Sequence, residues 1–196
     1  MTTNRTRSFA AVAAIAVGVS LTACSQDAET TPTAATSAVT STSSAAASTT
    51  EPVPTDSSDK TSAAGTESKL TVVDIRVGEH DGFDRVVYEM GGTGTPGWRV
   101  KYVDAATQEG SGKPVDIKGA AVIQVLIDGS AYPFDSGVEQ YSGPNPVPGV
   151  GGVVTEVNGS NVFEGVPQSF IGVTEKQPFT VTTLSDPPRV VVDVAR

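Results

Sequence analysis

From Leu70 onward the chain alternates apolar and polar residues with a period of two. That period belongs to a strand, whose successive side chains point to opposite faces. "LTVVDIRV" begins the pattern, and "FDRVVYEM" and "GWRVKYV" continue it. "AAVIQVLI" is a continuous apolar run of strand length. "GVVTEV" leads into Asn158-Gly159, a hairpin signal, and "NVF" follows. "SFIGV", "FTVTTL" and "RVVVDV" complete about eight short runs, separated by Gly, Pro, Asn and Asp. No segment carries a helical period. The expected fold class is therefore all-β, a sandwich or barrel. "GSGKP" and "YSGPNPVPGVGG" read as irregular loops, the second long enough to be functional or mobile.

Upstream the composition changes abruptly. Residues 25–68 hold ten Ser, eleven Thr and nine Ala, no aromatic residue, and only Val39 and Val53 as larger aliphatics. Such a segment buries too little apolar surface to offset its ordering entropy, so disorder is expected. Before it, a basic "MTTNRTRS" precedes the apolar run Phe9 to Leu21. That run is short for a membrane span and suits a signal peptide. Leu21-Thr22-Ala23-Cys24 then matches a bacterial lipobox, in which the Cys thiol carries the lipid. Cys24 is the only cysteine, so lipidation would leave no thiol for a disulfide, a metal or nucleophilic catalysis. The expected layout is a signal peptide over 1–23, a lipidated Cys24 with a disordered tether over 24–68, and a β domain over 69–196. Two or three acyl chains would anchor the protein stably at the outer face of the cell membrane.

Charge and residue types exclude several functions. Residues 69–196 carry sixteen acids and ten bases, a net of -6. A domain of that charge lacks the basic footprint of a nucleic-acid binder. His80 is the only histidine. "GEHDGFD" lacks the spacing of a calcium loop, and one His without a usable Cys does not make a zinc site. No metal and no cofactor are expected. There is no G-x-S-x-G, and "EGSGKP" has Thr107 and Pro114 where a phosphate loop needs Gly and Ser or Thr. No enzyme activity is expected. Trp98, Val100 and Tyr102 share one strand face, which suits either a sugar-stacking row or, more commonly, core.

Two phrases match each other: Arg85-Val86-Val87-Tyr88-Glu89 and Arg189-Val190-Val191-Val192-Asp193. In the second, Val190, Val192 and Val194 share a face that must be core. Arg189 and Asp193 lie about 13 Å apart along their strand and cannot pair with each other. If the two strands run antiparallel side by side, Arg85 faces Asp193 and Glu89 faces Arg189. Otherwise each charge simply solvates an outer face.

"GEHDGFDRVVYEM", "FEG" with "QSFIGV", and "PFTVTTLSDPPRVVVDV" together resemble the AMIN-like domain of actinobacterial lipoproteins, related to the AMIN domain of cell-wall amidases and secretins. The resemblance implies an AMIN-like β-sandwich and a non-catalytic accessory role at the cell envelope. The positions that carry over are His80, Gly82, Phe83, Asp84, Arg85, Asp186, Pro187, Pro188, Arg189 and Asp193. Most suit structural roles: Gly82 a turn of unusual φ, Phe83 a buried plug, Asp84 an acceptor for turn amides. His80 and Asp81 are expected to reach solvent. The candidate binding residues are His80, Asp81, Asp84, Arg85, Trp98 and Arg189. Their expected partner is cell-wall glycan or peptide, held by a targeting module. The alternative is an adaptor that regulates a cell-wall enzyme or division complex through protein contacts.

Overall fold

A computed structural model describes residues 51–196. The signal peptide, Cys24 and the tether as far as residue 50 lie outside the described residues. In chain order the strands are β1 Lys60–Ser62, β2 Lys69–His80, β3 Phe83–Thr93, β4 Gly97–Val103, β5 Ala121–Asp128, β6 Val147–Pro148, β7 Val154–Phe163, β8 Val166–Val173, β9 Phe179–Leu184 and β10 Arg189–Ala195. One helical turn, α1 Pro133–Ser136, lies between β5 and β6. The strands form two antiparallel sheets, one ordered β1-β4-β5-β8-β7-β6 and the other β2-β3-β10-β9.

The inner faces of the two sheets make one core. Ile123, Val125 and Ile127 of β5 and Ile171 and Val173 of β8 meet Val86, Tyr88 and Met90 of β3 and Val190, Val192 and Val194 of β10. The Val face of β10 is core, as the alternation requires, and each buried Val contributes roughly 1.5–2 kcal/mol of apolar transfer. Polar ties cross between the sheets. The Tyr88 and Ser169 hydroxyls bond at 3.0 Å in the buried interior, and Trp98 Nε1 donates to Thr183 Oγ1 at 3.0 Å.

Two expectations are corrected and one is borne out. The segment expected to stay disordered as far as residue 68 is ordered from Glu51: β1 pairs with β4, Pro54 is buried, and the Asp56 carbonyl accepts from Phe179 N–H at 2.9 Å. Its own composition supplies little apolar surface, but it docks on surface that the domain supplies. Second, Asn158-Gly159 is no hairpin turn. β7 runs through it with an irregularity between Asn158 and Asn161, while Gly159 N–H is held by Asn145 Oδ1 at 2.7 Å. The β7–β8 turn falls instead at Glu164-Gly165, whose φ values of 50° and 78° suit a tight two-residue hairpin. The expected facing of the two matching phrases is borne out: β10 and β3 run antiparallel, with Arg85 opposite Asp193 and Glu89 opposite Arg189, and of these two couples the first forms an ion pair. Glu89 is taken by Arg76 of β2 at 2.8 Å, and the Arg189 guanidinium turns back to the carbonyls of Pro187 and Ser185.

Candidate functional site at the hairpin end

β2 and β3 join through a two-residue turn, with His80 paired to Phe83. Gly82 adopts φ 86°, a conformation that favours glycine. Val53 also presses on Gly82, so that a Cβ there would lie 2.7 Å from Val53 Cγ2. Sequence and packing thus make the same demand at this position.

From the turn, β3 sends alternate side chains to opposite faces. Phe83 and Arg85 point outward, away from the central core. Phe83 is nonetheless only 1% exposed, so something covers it on the outer face. The His80 ring stacks parallel to it at 5.0 Å, and the Arg85 guanidinium lies 5.2 Å from its ring centre. Arg85 donates from Nε and Nη2 to both carboxylate oxygens of Asp193, at 2.7 and 2.9 Å. The same Nη2 donates to Glu51 Oε1 at 3.0 Å, and the other Glu51 oxygen lies 3.5 Å from His80 Nδ1. The hydrogen bonds to Asp193 first, and to Glu51 after it, push the Arg85 pKa up against the opposing effect of partial burial. The guanidinium is therefore permanently charged.

Asp84 points the other way and is fully buried. Its Oδ2 accepts from Val154 N–H at 2.9 Å and its Oδ1 from Arg196 Nε at 2.7 Å. It clamps the start of β7 and residue 196 to the hairpin, and its carboxylate does not reach solvent. Arg196 also holds Glu79 at 2.6 Å, which keeps the exposed Glu79 carboxyl below its ordinary pKa.

The structure therefore gathers His80 and Arg85, together with Phe83, into one half-exposed cluster, with Asp81 exposed on the adjoining turn. It separates the other candidates. Trp98 lies in the core of the six-stranded sheet at 8% exposure and offers no free ring face for a sugar. Arg189 sits at the opposite end of β10 from Asp193. Sequence reasoning missed Glu51 and Arg196. Glu51 opens the only Pro-Val-Pro phrase in a Ser/Thr/Ala tract, and that phrase was the available signal.

Elsewhere, a groove of about 220 Å³ beside β1 and β4 is lined by Asp59, Lys60, Arg99, Lys101 and Gln124. Hollows of about 430 and 360 Å³ lie beside Glu109 and Glu175. Each of the three presents a single carboxylate, which does not supply the paired acids of a glycan hydrolase. Among the described residues no three His, Cys, Asp or Glu side chains converge as a metal site would require.

An antiparallel two-sheet β domain, with its polar cluster at a hairpin end, places the molecule among small β-sandwich modules. The chain belongs to the AMIN-like domain family, whose model matches residues 70–196. Neither a curated protein nor a solved structure matches it.

Proposed function

We propose that this protein is a non-catalytic cell-wall-binding module on the extracytoplasmic side of the cell envelope. It is tethered to the membrane through lipid on Cys24, and its contact surface is the hairpin end that carries His80, Asp81 and Arg85. The observation that carries the reading is family membership across almost the whole ordered domain, since the related AMIN domain of cell-wall amidases and secretins is a targeting module. The hairpin-end cluster supports it, because the Arg85 cation and the half-exposed His80 ring beside an exposed Asp81 suit a polar polymer better than a protein core. The lipobox and Ser/Thr tract support the anchoring.

Retention on purified cell-wall sacculi tests the binding. The full chain is expected to sediment with sacculi at low salt, and a His80→Ala/Asp81→Ala variant to sediment less. Both substituted residues lie at an exposed turn, so the fold should survive. Absence of retention at low salt would remove the reading. Incorporation of labelled palmitate that vanishes in Cys24→Ser checks the anchor.

A specific feature also favours the adaptor reading. Phe134 is 81% exposed and stacks on Tyr132 at 5.4 Å, an aromatic pair open to solvent. Crosslinking in intact cells that recovers one defined protein through this pair would favour the adaptor.

A further inference from the structure

We propose that His80 and Arg85 form a carboxylate-binding site, that its ligand is the free carboxylate of a peptide, and that Glu51 is its built-in occupant. The inference rests on the reading of the hairpin end as the contact surface and names the chemistry it takes.

Arg85 already has a full partner in Asp193, whose two oxygens engage Nε and Nη2. Glu51 is therefore a second carboxylate on a cation that is already balanced. It reaches His80 and Arg85 with one oxygen each, as a separate carboxylate ligand would. The contact sits at the surface: the Glu51 side chain is 48% exposed, His80 36% and Arg85 18%. Glu51 can leave without opening the core. Its neighbours are anchored independently, through Val53 on Gly82, buried Pro54, and the Asp56 carbonyl on Phe179. The arm thus holds its acid at the site by tethering, and the salt bridge need not be strong in itself. An exposed ion pair is worth little on its own, but a tethered one competes at high effective concentration. The ligand class follows from the occupant, a carboxylate carried on a Pro-flanked stretch of peptide outside any strand or helix. The half-exposed His80 ring, backed by buried Phe83, flanks the site and would contact the residue that bears the carboxylate.

The test is a titration of the full-length chain, unsubstituted and as Glu51→Gln, with N-acetyl-Ala-Ala and with its C-terminal amide. Binding is read from the His80 ring and Arg85 Nε–H NMR signals. If the occupant fills the site about nine-tenths of the time, Glu51→Gln binds the acid about tenfold tighter. The amide shifts neither signal, and adding His80→Gln to Glu51→Gln reverses most of the gain. The persisting Arg85 Nε–H signal, held by Asp193, verifies that the site is folded. Equal affinity in both proteins, or equal shifts by acid and amide, would overturn the proposal. Sacculus retention without any response to the dipeptide acid would sink this inference and leave the cell-wall reading standing. Failure of both would remove the wider reading as well.

Discussion

Arg85 and Asp193 stand 108 residues apart in the chain and meet as a two-bonded ion pair on the outer face of the four-stranded sheet. The Asp193 side chain is only 9% exposed, and Arg85 engages both of its oxygens. Removing one partner of such a pair leaves an uncompensated charge, whereas removing both often costs little. Arg85→Met is expected to lower unfolding free energy by about 3 kcal/mol. Arg85→Met with Asp193→Val is expected to recover at least half of that loss. Urea denaturation of the single and double variants checks both, and a double variant no better than the single would refute the account.

Asp84 performs a similar task in the opposite direction, inward. Asp84→Ala strips Val154 N–H and Arg196 of their acceptor in a fully buried place. The expected loss is about 2–3 kcal/mol, the cost of an unsatisfied buried donor plus a broken charge-assisted bond. Asp84→Asn keeps an acceptor for the amide and should cost less. Hydrogen exchange adds a local readout: the Val154 amide should lose protection in the Ala variant and keep part of it in the Asn variant.

What the sequence disclosed depended on whether a feature was set by local period or by a distant neighbour. The Arg85–Asp193 register was legible because period-two alternation fixes which residues share a face, and the two Arg-Val-Val phrases ran to the same length. Glu89 and Arg189 face each other as the same alternation requires, but facing does not disclose the ion partner, because Arg76 on the other neighbouring strand takes Glu89. Asn158-Gly159 carried the right turn composition, yet the ladder to β8 continues past it and the positive φ values fall on Glu164-Gly165. Gly82 and Phe83 were read correctly as a turn and a plug, since both properties reside in the residue itself. Trp98 remained ambiguous because a strand face does not disclose which side is core. The half of the site supplied by Glu51 was hidden for a different reason. The disorder argument weighs a segment's own apolar surface and omits the surface against which it docks.

Tyr88 should leave a signature at high pH. Burial pushes its phenol pKa well above the ordinary value, and the hydrogen bond to Ser169 only partly opposes this. A group whose folded pKa is raised contributes stability that is complete below its unfolded pKa and is lost as pH rises. Stability on this account is flat up to about pH 10, the ordinary tyrosine value, and declines above it. Tyr88→Phe should shallow that decline and cost about 1 kcal/mol at neutral pH, because Ser169 keeps its bond to the Asn158 carbonyl. Absorbance near 295 nm checks the site directly: one tyrosine should ionise only as the protein unfolds. Ionisation of every tyrosine in the folded protein near pH 10 would contradict the burial argument.

Truncation separates the ordered arm from the family-matched domain. A chain beginning at residue 69 keeps all of residues 70–196 but loses β1, the Asp56 carbonyl that holds Phe179 N–H, and the arm beside Gly82 and Arg85. Uncovering one large apolar side chain alone costs roughly 1.5–3 kcal/mol. The expected loss is therefore at least about 2 kcal/mol, with the two-sheet fold retained. β4 would also become an exposed edge, with unpaired backbone groups where Lys60, Thr61 and Ser62 now pair. An open edge invites pairing with a second chain. Sedimentation velocity should show concentration-dependent association for the chain starting at 69 and none for one starting at 47. Equal stability and equal sedimentation of the two chains would mean that residues 51–68 contribute nothing to the folded domain.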